Sequence, residues 1–338
     1  MEFSYSREQQ MVKKMLKEFA ENEIAPISAE IDEKAEYPYE TIAKLAELGV
    51  MGMPFPESYG GAGTDYLTYI MAVEEISKVD AAHGVIVQTH NALCCWPIFT
   101  YGTEEQKQKY LPNLLSGKHL GAFGLTEPNA GTDAAGTQTK ARLDGDEWEL
   151  DGSKIFISGG GIADVYIIMA MTDKSKGTKG ISAFIVEKGT PGFTAPKHEN
   201  KMGIRGSIAA ELVFEECRIP KENLLGQEGK GFKVAMSSLD VGRLGIAAQA
   251  LGIAQGAFDE TVKYMKQRKQ FGRSLDKFQA LSFEMASMKV KIDGARYLLY
   301  DACNRRDRGL PSSVAAAEAK LACSEAASYV TNKAVQFH

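Results

Sequence analysis

The stretch Phe123-Gly124-Leu125-Thr126-Glu127-Pro128-Asn129-Ala130-Gly131-Thr132-Asp133-Ala134-Ala135-Gly136 decides the fold, because the chain changes character across it. Up to about residue 118 apolar residues recur at helical spacing, and from about residue 121 their period falls to two. The stretch itself is a Gly/Pro-punctuated loop of small residues and hydroxyls that follows an apolar run. Glycine has no side chain to stand in the way, so such a loop brings main-chain N–H groups close to a flat, polar, partly anionic ligand.

On the N-terminal side, Ser6-x-x-Gln9 is a capping-box start for a helix carrying Met11, Met15, Leu16 and Phe19. Residues 41–49 read as a short helix closed by Gly49. The segment Gly60-Gly61-Ala62-Gly63-Thr64 breaks the chain before a helix through Ile70, Val73 and Ile76, and Thr103-Glu104-Glu105-Gln106 opens one more capped helix. On the C-terminal side, residues 137–150 with Asp144-Gly145-Asp146 in their middle read as a hairpin, and Asp151-Gly152-Ser153 as a further turn into Lys154-Ile155-Phe156-Ile157-Ser158. Residues 165–169, 181–186 and 211–214 are further strands. After Gly229-Lys230-Gly231 long helices return, over about 232–268, 276–306 and from 312 onward; the first two, joined by Phe271-Gly272-Arg273-Ser274, are expected to pack as an antiparallel bundle. The expected fold is α+β and multidomain: an N-terminal α-helical domain (1–118), a middle β-barrel or sandwich domain (119–228) and a C-terminal α-helical bundle (229–338).

Composition narrows the function classes. At 44% hydrophobic and 25% charged residues, with a net charge of −5, the chain resembles an ordinary globular protein and offers no basic block for nucleic acid. The local cluster Lys263, Lys266, Arg268 and Lys269 reads equally as a phosphate contact or a solvated helix face. No run of about eighteen apolar residues occurs, so no membrane span is expected. Met1 to Arg7 has no targeting pattern, and the five cysteines (Cys94, Cys95, Cys217, Cys303 and Cys323) form no C-x-x-C pair, so a reducing, cytoplasmic setting is expected. The five histidines show no zinc spacing, and no metal is expected.

The order Gly-Leu-Thr-Glu-Pro-x-x-Gly-Thr-Asp-x-x-Gly closely resembles the flavin- and substrate-binding loop of the acyl-CoA dehydrogenases. The strings Lys201-Met202-Gly203-Ile204-Arg205-Gly206-Ser207 and Gln267-Arg268-Lys269-Gln270-Phe271-Gly272, and the order of helical and β segments, extend the resemblance over essentially the whole chain, with a texture most similar to the short-chain, butyryl-CoA-type members. The resemblance implies FAD as cofactor, held by Phe123, Gly124, Leu125, Thr126, Gly131 and Thr132, with Thr126 at the polar edge of the ring. It places Phe156, Ile157 and Ser158 beside the ring, Ser158 near the hydride-accepting N5; position 156 is usually Trp in the family, and taken alone Ser158 reads equally as a turn former. It sends Arg268, Phe271, Gln279 and Gln336 across a dimer interface to a neighbour's FAD, which makes a homo-oligomer, dimer or dimer of dimers, part of the cofactor site. By itself Arg268 reads also as a cation at a helix end. Thr132, Asp240 and Arg243 are implied to bind CoA, although Asp240 and Arg243, three apart on one helix face, read as well as a surface ion pair.

The implied reaction is α,β-dehydrogenation of a short-chain acyl-CoA to the trans-2-enoyl-CoA, as in fatty acid β-oxidation, with electrons passed to an electron-transfer flavoprotein. A carboxylate has to remove the α-proton from a dry site. In one branch of the family that carboxylate occupies the position matching Gly242, which here cannot act as a base; in the short-chain layout it is expected beyond His338. The helical pattern through Ala334-Val335-Gln336-Phe337-His338 shows no stop, so a C-terminally truncated chain is expected, and no catalytic base is assigned within it. A same-fold flavin oxidase or monooxygenase, and a catalytically silent acyl-CoA- or flavin-binding relative, stand as alternatives.

Overall fold

The computed structural model describes residues 5–338. Helices α1 (Arg7–Phe19), α2 (Ala25–Lys34), α3 (Tyr39–Glu47), α4 (Tyr66–Ser77), α5 (Ala81–Thr89), α6 (Trp96–Tyr101) and α7 (Glu104–Leu115) come first. Strands β1 (Gly121–Gly124), β2 (Lys140–Asp144), β3 (Glu147–Ser158), β4 (Val165–Met171), β5 (Ile181–Glu187), β6 (Phe193–Thr194), β7 (Ala209–Pro220) and β8 (Leu224–Leu225) follow. Helix returns in α8 (Gly231–Gln267), a small hairpin pairs β9 (Lys269–Gln270) with β10 (Arg273–Ser274), and α9 (Gln279–Asp307) and α10 (Ser313–Phe337) come last. Both capping boxes form: Ser6 caps α1 through Gln9, and Thr103 caps α7 through Gln106.

By internal contact the chain divides into two units, one of Met1–Ala29, Asp65–Val85 and Arg243–His338, the other of Glu30–Thr64 and Ile86–Gly242. In the first unit every residue of α4 is buried, so its polar groups need internal partners. Asp65 caps it by accepting from Thr68 N at 2.6 Å, and the Asp307 carboxylate accepts from Tyr66 N at 2.8 Å and Leu67 N at 3.2 Å. Glu74 accepts from Arg296 Nη2 at 2.9 Å and from the Tyr300 hydroxyl at 2.8 Å; Arg296 also reaches Gln255 and Asp293. Glycines let α8 lie against α4: a Cβ at Gly252 would fall 2.5 Å from Glu74 O, and one at Gly256 would fall 2.2 Å from Lys78 O.

In the second unit the eight strands form one mixed sheet, in the order β6-β7-β3-β2-β4-β5-β8, with β1 added in parallel against β4. The near-continuous apolar runs of β4 and β5 are buried on both faces. Val165, Ile167, Met169, Ile181, Ala183 and Ile185 pack with the helical residues Ile98, Leu111 and Leu114. The intervening Tyr166, Ile168, Ala170, Phe184 and Val186 pack with Trp148, Leu150, Leu212 and Phe214.

One expected turn is part of a strand. Asp151-Gly152-Ser153 is not a turn: β3 runs through it from Glu147 to Ser158. Gly152 sits where the register with β7 slips, at φ +142°, and a Cβ there would lie 2.7 Å from Thr139. The glycine serves a bulge and a close strand approach, which share their local composition with a turn. Asp151 accepts from Glu216 N at 2.8 Å on the facing strand.

Arg296→Met leaves the Glu74 carboxylate buried with no guanidinium. It should lower unfolding stability by about 3 kcal/mol in a denaturant titration; an unchanged midpoint would show the network to be dispensable.

Candidate functional site

The loop that follows β1 is fastened from beneath by β3. Lys154, on that strand, is 0% exposed, and its ammonium donates to Leu125 O at 3.1 Å and to Glu127 Oε1 at 2.6 Å. Glu127, 5% exposed, also accepts from Gln138 N at 2.6 Å and Thr139 N at 3.0 Å, which closes the loop on itself. Burial pulls the Lys154 ammonium down, to about 8, against the opposing field of Glu127. Burial raises the Glu127 carboxyl, but Lys154 with the hydrogen bonds from Gln138 and Thr139 outweighs it and holds the group below its ordinary value.

Between these anchors sits Thr126, whose carbonyl accepts from Ile155 N at 2.9 Å. Ile155 is available because β3 bulges: Lys154 pairs with Leu212 and Ile157 with Ala210, so Ile155 and Phe156 face the single Glu211. Within the bulge Phe156 takes φ +60° and holds its ring 63% exposed. Such backbone costs on the order of 1 kcal/mol for a residue with a side chain. Ser158 ends the strand half-buried, and Ile157 points into the core. The hydroxyls of Thr126 and Ser158 have no hydrogen-bond partner among the described residues. Phe123 and Gly124 lie in β1, Leu125 is buried, and Gly131 and Thr132 are exposed at the outer edge of the loop.

Ser158 also lines a cavity of about 20 Å³ with Tyr37, Thr89, His90, Gly121 and Ser207. The sequence gives no sign of His90, because a lone histidine carries no spacing signal. Its Nδ1 accepts from Gly121 N at 3.1 Å, so its Nε2 carries the hydrogen and donates to Leu114 O at 3.0 Å. Burial pulls its pKa down to about 4. Lys154 carries no sequence signal either, being a charge inside a strand string. A larger cavity, about 410 Å³, opens between β2 and the end of β4, lined among others by Gln138, Lys140, Arg142 and Lys174.

Arg268, Phe271, Gln279 and Gln336 belong to the other unit. Phe271 and Gly272 form the two-residue loop of the β9–β10 hairpin with φ +52° and +76°, the pattern of a type I′ turn. The Phe271 ring is 92% exposed, edge-on to Phe278 at 6.2 Å, and Arg273 lies over Phe278 at 4.1 Å. Arg268 leads into this hairpin, exposed, its carbonyl accepting from Leu275 N at 3.0 Å; Gln279 is the first residue of α9 and Gln336 lies near the end of α10, both exposed. An exposed aromatic among cations suits a ligand with a ring and phosphates. Asp240 and Arg243 lie half-buried on α8, and Gly242 between them is buried, with Leu93 at 3.2 Å from where its Cβ would be.

Comparison with known proteins gives this geometry a family. Family models for the N-terminal, middle and C-terminal domains of acyl-CoA dehydrogenases match residues 6–118, 122–217 and 229–338. The chain belongs to the acyl-CoA dehydrogenase family. It is 58% identical to a short-chain specific acyl-CoA dehydrogenase of Clostridium acetobutylicum, over 99% of this chain and 89% of that one. The solved butyryl-CoA dehydrogenase of Megasphaera elsdenii is 52% identical and superimposes with a TM-score of 0.98 over 100% of this chain and 89% of that one. A structure described as the electron transferring flavoprotein of Acidaminococcus fermentans, from work on flavin-based electron bifurcation, contains a chain 56% identical, with the same TM-score and the same coverage.

His90 supplies a pH test. Its folded pKa lies below the unfolded value of about 6.5, so the unfolded chain takes up the proton first and stability is lost as pH falls from there toward about 4. The stability difference between the wild type and His90→Gln should shrink by about 2 kcal/mol between pH 7 and pH 5. A difference that stays constant over that range would mean His90 is not held neutral by its surroundings.

Proposed function

We propose that this chain is an FAD-dependent acyl-CoA dehydrogenase that converts a short-chain acyl-CoA to the trans-2-enoyl-CoA and passes the electrons to an electron-transfer flavoprotein, as in fatty acid β-oxidation. The observation that carries the reading is the coupling of the Thr126 loop to the bulged end of β3, which presents two partnerless hydroxyls beside an outward aromatic ring. These residues fit a flavin: hydroxyl and backbone donors suit its polar edge, and Phe156 offers a ring face. When bound, FAD supplies the acceptor for the β-hydride.

In this reading Phe123, Gly124, Leu125, Gly131 and Thr132 carry the backbone that approaches the cofactor, Thr126 donates at its polar edge, Ile157 anchors the strand end, and Ser158 donates near N5. Arg268 holds the pyrophosphate of a neighbouring copy's FAD, Phe271 lies against its adenine, and Gln279 and Gln336 bind nearby. Thr132, Asp240 and Arg243 hold CoA. Glu127 is not available as the α-proton base, being bound by Lys154 and two backbone N–H groups, and position 242 is glycine. We assign the flavin-facing contacts to the middle segment (119–228) and the neighbour-directed contacts to the C-terminal segment (229–338), with 1–118 as the N-terminal helical segment.

Two exposed stripes support the homo-oligomer. On α9 Phe283, Val290 and Tyr297 recur every seven residues, and on α10 Val314, Leu321 and Val335 fall on the same spacing with Ser328 between the last two. Helix faces of this kind seek another helix. No described helix is long and apolar enough to cross a membrane. The free, buried cysteines fit the cytoplasmic placement that belongs to this proposal.

Two measurements test the reading. In an anaerobic titration with butyryl-CoA, the FAD-loaded 338-residue chain is compared with the same chain extended by the C-terminal segment of a short-chain relative. Bleaching of the oxidised flavin band in the extended protein is expected; a flavin spectrum that responds in neither form would overturn the reading, and instant reoxidation by air would favour the oxidase. Phe271→Gly relieves the left-handed strain, so it should leave thermal stability equal or higher while weakening FAD binding about tenfold through lost stacking; unchanged affinity would remove Phe271 from the cofactor site.

A further inference from the structure

We propose that the buried Lys154–Glu127 pair is the positioning element of the flavin platform: it fixes the Thr126 backbone and the bulge at Phe156 in one geometry, so that the cofactor's affinity and redox behaviour depend on a side chain that does not touch it. This rests on the flavin reading above.

The anchors are consecutive along the chain. Residues 125, 126 and 127 are each held from β3: Leu125 O by the Lys154 ammonium, Thr126 O by Ile155 N, and the Glu127 carboxylate by the same ammonium. Two neighbours on one strand therefore grip three neighbours on one loop, and Phe156 is the next residue along that strand. Glu127 carries the constraint further, since its two oxygens also collect Gln138 N and Thr139 N from the far end of the loop, and Thr139 Oγ1 donates to Ser153 O at 3.2 Å. Gly124 lets the Lys154 stem pass: a Cβ there would lie 3.3 Å from Lys154 Cγ and 2.7 Å from Ile168 Cδ1.

A pair serving only stability would be an odd choice here. Well-packed apolar residues of similar volume often replace a buried ion pair at no loss, or with a gain. What an apolar pair cannot do is hold one loop carbonyl and two loop amides in fixed directions. Lys154 and Glu127 thus act through Thr126 and the bulge, as positioning residues and not as catalytic ones.

The test compares wild type, Lys154→Met and the double variant Lys154→Met/Glu127→Gln, reading thermal midpoint, FAD dissociation constant, flavin absorption maxima and flavin midpoint potential. Lys154→Met alone strands a buried carboxylate and should lower the thermal midpoint. The double variant removes both charges and should recover most of that loss, while FAD binding stays roughly tenfold weaker and the flavin's maxima and potential stay displaced, on the scale at which supporting groups act on a site. If stability, affinity and potential all recover together, the pair is purely structural and the proposal falls. Should Lys154→Met fail to fold, Glu127→Asp keeps both charges and withdraws the carboxylate by one methylene. A displaced flavin potential in that variant supports positioning, and an unmoved one overturns it. A wild-type chain that takes up no FAD would instead overturn the flavin reading, and this proposal with it.

Discussion

An ammonium with no exposure to water has to be answered by charge and hydrogen bonds nearby, and in this protein the answer organises a whole loop. Lys154 finds Glu127, Glu127 finds the amides of Gln138 and Thr139, and residues between 125 and 139 lose the freedom that so many small residues would otherwise give them. Because Lys154 belongs to a twelve-residue strand paired on both sides, the loop takes its geometry from the sheet. A cofactor meeting this surface would meet groups already placed, and little ordering would remain to oppose binding.

The two outward aromatics show the other side of that rigidity. Phe156 and Phe271 both occupy left-handed backbone, and both keep most of their rings in water. Neither choice helps the isolated chain, since a glycine would be easier in the turn and a polar residue easier on the surface. Strain combined with exposure at two sites implicated in one cofactor is understandable where a ring is wanted against a ligand.

Much of the fold could be read in advance because its signals are local. Ser6/Gln9 and Thr103/Gln106 announce helix starts through side chains three residues apart, and the hairpin at Asp144-Gly145-Asp146 follows from two adjoining alternating runs. Other features depend on contacts far apart in sequence. The parallel pairing of Gly121–Gly124 with β4 leaves no mark in either segment, and Gly152 resembles a turn glycine until Thr139 is seen pressing on it. The candidate site divides in the same way. Thr126, Ser158, Arg268 and Phe271 stand out through motif strings, whereas Lys154 in a strand looks like an outward-facing charge and His90 like a lone histidine. Only the tertiary structure turns them into a loop fastener and a neutral strut.

The most direct test of the whole reading is an experimental structure of the FAD-loaded protein with a short-chain acyl-CoA bound. It should place the Thr126 and Ser158 hydroxyls within hydrogen-bonding distance of the flavin ring and the Arg268 guanidinium against the pyrophosphate of a neighbouring copy's FAD. A flavin bound away from Thr126 and Ser158, or an Arg268 left in solvent with the cofactor fully held by one chain, would contradict it.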